Sequence, residues 1–191
     1  MIPSPTDFTF EPLFLALAAL AGYLYVRAMR QGEPIARWRP AVFLAGLVLI
    51  AASLNSPLET IAAHYLLLMH LLQNVAIADW APPLLLIGLA PAMRAALATR
   101  GGRVFATLTR PKVALPIWLV GWYVIHLALI YDYALEHAWA LNVEHAILIA
   151  IGLIFWWPVF SDSPHAPSTI TRLAYVLAGF VGSVFLGLAF T

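Results

Sequence analysis

The chain reads as an all-α protein, a polytopic bundle of transmembrane helices, and three observations predict this. Hydrophobic residues make up 63% of the sequence and charged residues only 10%. Mean hydropathy is +0.89. The long apolar runs lack the strict alternation of half-buried strands. Lipid offers a backbone no hydrogen-bond partner, so a spanning segment is either a helix or part of a closed barrel, and runs of this kind select helices. Each span needs roughly 20 mostly apolar residues, so the chain has room for about six spans and none for a soluble domain. One membrane-embedded helical domain, residues 1–191, is expected.

The spans fall, in order, at Phe8–Ala28, Ala41–Leu54, Ile61–Trp80, Ala114–Tyr131, Val143–Phe160 and Leu173–Phe190. The first is expected to be retained, because Met1 to Phe10 lacks the basic start of a cleaved signal peptide. The second is short and can borrow Trp38 and the residues up to Leu58. The third runs into Pro82 and Pro83. Proline has no amide hydrogen and clashes with the preceding turn, which predicts a kink or an end there, with Leu84 to Ala90 a bent continuation or re-entrant piece. Arg94 to Lys112, with Gly101 and Gly102 at its centre, is the longest polar connection and reads as a solvated loop against anionic lipid headgroups. Trp38, Tyr131, Trp139 and Trp157, near helix ends, read as interfacial anchors.

This layout puts all ten basic residues on one side: Arg27, Arg30, Arg37 and Arg39, then Arg94, Arg100, Arg103, Arg110 and Lys112, then Arg172. The positive-inside rule makes that side cytoplasmic and the N-terminus external. Asp7, Glu11, Glu59, Asp132, Glu136 and Glu144 then fall on the outer loops and helix ends. The net charge of +1 conceals this polarity and gives no reason to expect nucleic acid as a partner. Membrane lipid is the expected surround.

The sequence has no cysteine, which excludes disulfides, iron-sulfur clusters and thiolate metal sites within the chain. Two polar clusters interrupt the apolar background: His70, Gln73 and Asn74, and Asn142, Glu144 and His145. Groups that cost free energy in lipid usually have a job there. Positions 70 and 74, and positions 142 and 145, each share a helical face. His70 lies about nine residues into its expected span, near mid-bilayer at roughly 1.5 Å per residue. His64, His126, His137 and His145 project to the outer half or an outer loop, and His165 to a cytoplasmic loop. Imidazole suits copper or zinc, and the thioether of Met69 would add a preference for Cu(I). The plainer alternative is that His70, Gln73 and Asn74 hydrogen-bond neighbouring helices and hold no metal. Asp79 offers either a proton relay or a solvated helix end, and no inverted repeat suggests a transporter.

The run from His70 through Gln73 and Asn74 to Ala81, Pro82, Pro83, Leu84, Leu85, Leu86, Ile87 and Gly88 resembles the third-helix signature of the CtaG-type (caa-type) cytochrome c oxidase assembly factors. Tyr131, His137, Glu144 and His145, then Gly152 to Val159 with Phe155, Trp156, Trp157 and Pro158, extend it, so that the resemblance covers Ile61 to Val159. It implies a multi-pass protein of the bacterial plasma membrane that binds Cu(I) and helps deliver it to a haem-copper oxidase. The implied partners are the oxidase subunits, with a homo-oligomer left open, and no enzymatic turnover is implied. The family pattern has about seven spans, whereas this sequence stops at the sixth. It also has histidine where Asn74 stands, and often where Asn142 stands. An amide oxygen is a weaker copper ligand than imidazole. The metal ligands implied here are therefore His70 and His145, then His126, with Met69 and His64 as compensating donors. Glu144, Asn74 and Asn142 would lie around them, Glu144 orienting an imidazole. Two other readings stay open: a metal-free structural partner or subunit of the oxidase, and a redox subunit holding a b-type haem between histidines.

Overall fold

The computed structural model describes residues 3–32, 34–161 and 166–189, with side chains through residue 185. Every regular element among them is helical. In chain order these are α1 (Pro12–Gln31), α2 (Trp38–Leu54), α3 (Pro57–His64), α4 (Leu67–Val75), a π-helical turn (Ala76–Trp80), α5 (Ala81–Gly88), α6 (Pro91–Leu108), α7 (Pro111–Ile125), α8 (Ala128–Glu136), α9 (Ala138–Phe160) and α10 (Thr169–Ala189). Packing divides the chain into two compact units, Met1–Met93 and Arg94–Thr191.

Among the described residues three helices are long and apolar enough to cross a membrane: Pro12–Gln31, Leu67–Gly88 and Ala138–Phe160. Two bent pairs, α2 with α3 at 48° and α7 with α8 at 66°, raise the number of candidate spans to as many as five. The region of the expected sixth span holds α10, which is apolar over its described side chains, Thr169–Phe185. Leu17, Leu20 and Leu24 on α1 and Leu173, Leu177 and Phe180 on α10 are all exposed. Apolar surface of this kind along whole helices is suited to hydrocarbon.

In the first unit α2 packs against α5 and α1. Small residues set the approach: a Cβ on Gly46 would stand 2.9 Å from the Leu85 side chain and 3.1 Å from the Ala81 carbonyl. Tyr25 stacks on Phe43 with ring centroids 4.1 Å apart. Its hydroxyl donates to the Gly88 carbonyl at 3.0 Å. Arg39 donates through Nη1 to the carbonyls of Ile87 and Leu89 at 2.6 and 2.7 Å. A cation thus closes the end of α5, where carbonyls lack intrahelical partners.

The third span differs from its expected course at both ends. It starts at Leu67, not Ile61, because Ser56 accepts a hydrogen bond from the Leu58 amide and caps a separate helix, α3, which has Pro57 in its first turn. Leu66 then leaves helical geometry, at φ −139° and ψ 112°. Downstream, Pro82 and Pro83 do not end the helix. The turn before them widens to π geometry, with the Ala81 amide donating to the Ala76 carbonyl, and α5 continues to Gly88. A wider turn relieves the clash that a proline ring makes with the carbonyl four residues back.

In the second unit α7 packs against α9 and α10. Trp118 stacks with Trp122 at 5.1 Å and with Phe155 at 4.9 Å. Tyr175 stacks on the other side of this cluster, 4.8 Å from Phe155, and its hydroxyl donates to the Phe155 carbonyl at 2.8 Å. Tyr175→Phe should keep the stack and lose the bond, lowering stability in detergent by about 1 kcal/mol, readable as a fall in Tm. Arg172 closes the C-terminus of α9, donating to the carbonyls of Val159 at 2.8 Å and Ser161 at 3.0 Å. The fourth expected span breaks at His126 and Leu127, where the chain turns 66° into α8. The expected loop from Arg94 to Lys112 is mostly helix, with a break at Gly102 (φ 60°, ψ −153°), a left-handed conformation that glycine adopts without strain. Its alanine, leucine and arginine content favours helix. Arg94, expected to be solvated, is buried.

Candidate functional site

Each unit carries one buried polar cluster. In the first, His70 occupies the first turn of α4, near the start of the Leu67–Gly88 helix. The expected mid-span position gives way to one near the helix end, because α3 takes up the residues that had been counted before it. His70 is 1% exposed, and Gln73 and Asn74 are fully buried. Asn74 Nδ2 lies 3.0 Å from His70 Nε2, so the shared face read from the spacing is real. With the amide nitrogen as donor, Nε2 accepts and the ring proton sits on Nδ1. Gln73 turns the other way, donating through Nε2 to the Ser53 carbonyl at 2.8 Å and to the Glu59 carboxylate.

Glu59 is the residue that sequence reasoning missed. Counted with the outer charges, it is in fact 4% exposed and bonded to Gln73. Ser56 and Glu59 have the spacing of a capping box, which signals a helix start but says nothing about a partner on α4. A charge taken out of water needs such a partner. Of the other donors expected here, His64 is exposed at the end of α3 and Met69 is half-buried, so neither joins the buried set.

In the second unit His126, Glu144 and His145 are buried, at 3%, 4% and 1% exposure, while Asn142 is half-buried. His126 ends α7 at the bend into α8. Its Nδ1 lies 2.7 Å from the Trp122 carbonyl, and its ring centroid 5.1 Å from that of Trp122. A carbonyl can only accept, so Nδ1 carries the proton and Nε2 the lone pair. His137 repeats the arrangement at the end of α8, with Nδ1 2.9 Å from the Tyr133 carbonyl and its ring stacked on Tyr133. Glu144 and His145 lie on α9, and Tyr131 on α8 is within electrostatic reach of Glu144. His165 lies outside the described residues.

Among the described residues no group of three or more His, Cys, Asp or Glu that could hold a metal ion is found. The resemblance signatures also have packing roles. Ala81, Leu85 and Gly88 form the close contact with α2, and Phe155 is the centre of the aromatic stack in the second unit.

No curated protein and no solved structure matches the chain. A model of one protein family, the cytochrome c oxidase caa3 assembly factor (Caa3_CtaG), matches residues 20–191. That match runs through both polar clusters and all but the start of the helical region, and the chain belongs to the cytochrome c oxidase caa3 assembly factor family.

Proposed function

We propose that the chain is a non-catalytic assembly factor of the bacterial plasma membrane that carries Cu(I) as cargo and passes it to a haem-copper oxidase subunit docked beside it. In this reading the N-terminus is external, the chain crosses about six times, and the basic helix ends face the cytoplasm. The observation that supports the copper reading is the burial of imidazoles in each unit, His70 in the first and His126 and His145 in the second. The tautomer of His126 supports this reading. Its Nδ1 proton is held by a backbone carbonyl, which is how proteins commonly fix a ligating imidazole so that Nε2 faces the metal. A carrier must release its cargo, so two or three ligands are chemically sufficient, where a closed four-ligand site would retain the metal.

Copper content of the full chain, purified under reducing conditions, tests this reading. Wild type should retain copper that a His70→Ala/His145→Ala double variant loses, and His126→Ala should weaken retention. Glu144→Gln, which alters a neighbour rather than a ligand, should cost about 10- to 100-fold in affinity. Asn74→His, which restores a second imidazole on the face of His70, should strengthen retention. Copper no higher in wild type than in the double variant would remove the basis of the proposal.

The bond between Asn74 and His70 Nε2 favours a second reading, a metal-free assembly partner, because it engages the lone pair that a metal would use. That reading expects oxidase assembly to proceed normally with His70→Ala and His145→Ala. Copper delivery expects an oxidase that keeps its subunits and lacks copper.

A further inference from the structure

The second half of α6 and the start of α7 concentrate positive charge and carry no acidic residue of their own. Arg100, Arg103, Arg110 and Lys112 are all exposed. The sequence has no acidic residue between Asp79 and Asp132. An open groove of about 280 Å³ lies along this segment, lined by Arg103, Val104, Thr107 and Leu108. Its chemistry is two-sided. Arg103 and Thr107, one turn apart, bring a guanidinium and a hydroxyl to one edge. Val104 and Leu108, also one turn apart, bring an apolar edge, and Val104 is 71% exposed.

The depth of the groove follows from a separate contact. Phe105, between the groove residues, meets Trp157 edge-on at 4.7 Å. Trp157 stands near the C-terminal end of α9, the same end that Arg172 closes through Val159 and Ser161. Basic side chains at the end of a spanning helix mark the headgroup level of a bilayer. With α9 crossing a bilayer, this end of it and the groove beside it would stand where phosphate and the first acyl carbons meet.

We infer that this groove binds an anionic glycerophospholipid, its phosphate held by Arg103 and Thr107 and its acyl chain laid along Val104 and Leu108. Guanidinium pairs with phosphate through a planar fork, and the hydroxyl adds a further donor. Arg100, Arg110 and Lys112 supply the surrounding field that favours an anionic over a zwitterionic headgroup. The break at Gly102 starts a new helical segment at the groove, so that its residues need not follow the line of the first half of α6.

Native mass spectrometry of the full chain in detergent tests this, with phosphatidylglycerol and phosphatidylcholine supplied at equal concentration. Wild type should retain phosphatidylglycerol in preference, and the preference should fall as salt rises. Arg103→Gln should reduce it about fivefold, the factor that corresponds to one basic residue near an anionic surface. Arg103→Lys should keep part of it, and Thr107→Val should weaken it without changing fold, since both side chains are exposed. Equal retention of the two lipids, or a preference that survives Arg103→Gln, overturns the assignment. So does a result in which Arg103→Gln leaves lipid selectivity intact but weakens association with the oxidase, which would assign the basic segment to a protein partner.

Discussion

Gly88→Ala is expected to lower the stability of the chain by about 1–3 kcal/mol, the usual cost of overpacking a tight contact. A Cβ at Gly88 would stand 2.6 Å from the Phe43 amide nitrogen and 2.7 Å from its Cα. These are backbone atoms, so no rotamer change clears the space, and α2 and α5 must move apart. Moving them strains two other interactions at the same place, the Tyr25 bond to the Gly88 carbonyl and the Arg39 bonds on either side of it. Gly22→Ala is the control. Its Cβ would meet only a Leu47 methyl at 3.6 Å, an ordinary contact, so the change should be neutral or stabilising by up to about 1 kcal/mol through the backbone entropy that glycine forfeits. Thermal unfolding of both variants in the same detergent separates the cases, and a similar loss in each would mean that close approach to Phe43 is not what fixes glycine at position 88.

The second large effect is expected at Gln73. Its amide donates both to the Glu59 carboxylate and to the Ser53 carbonyl within a buried environment. Gln73→Leu removes both donors and leaves a carboxylate out of water with one fewer partner, which should cost about 3 kcal/mol. Glu59→Gln keeps an acceptor oxygen in place and should cost less, about 1 kcal/mol. The informative variant is the double one. If the two side chains act as a unit, Glu59→Leu with Gln73→Leu should be less destabilising than the sum of the single changes, with a coupling of about 1–3 kcal/mol. Additive losses would show that Glu59 depends on other neighbours. The same variants probe function, because Gln73 lies beside Asn74 and across the helix start from His70.

Much of this arrangement was legible in local spacing. The bond between His70 and Asn74 follows from a separation of four on one helix, which helical geometry dictates wherever the helix sits. The bond between Gln73 and Glu59 was not legible, because it joins two helices separated by a break at Tyr65 and Leu66, and no periodicity runs through such a break. The prolines at 82 and 83 signal a kink or an end of the helix, and the structure takes the continuing course, through a π-helical turn. Proline dictates that a normal turn cannot be kept. It does not dictate whether the chain bends away or widens by one residue, and packing of α5 against α2 holds the second outcome. Arg39 and Arg172 were read from their sign alone, as markers of sidedness. Both also bond the carbonyls at the ends of other helices, α5 and α9. The sequence shows the charge, but the carbonyls it closes come from far along the chain.

By itself the sequence determined that this protein is helical and rich in segments suited to lipid, since the free-energy cost of unpaired backbone groups in hydrocarbon leaves little choice at such hydropathy. It also determined the family, through residues whose order survives without any knowledge of their contacts. The tertiary structure decided where helices break and which polar groups are buried with a partner. It buried Glu59 and Arg94 and left His64 exposed. The reason is physical: composition and period are properties of short segments, whereas the burial of a charge depends on what another segment brings to meet it, and that is settled only when the helices pack.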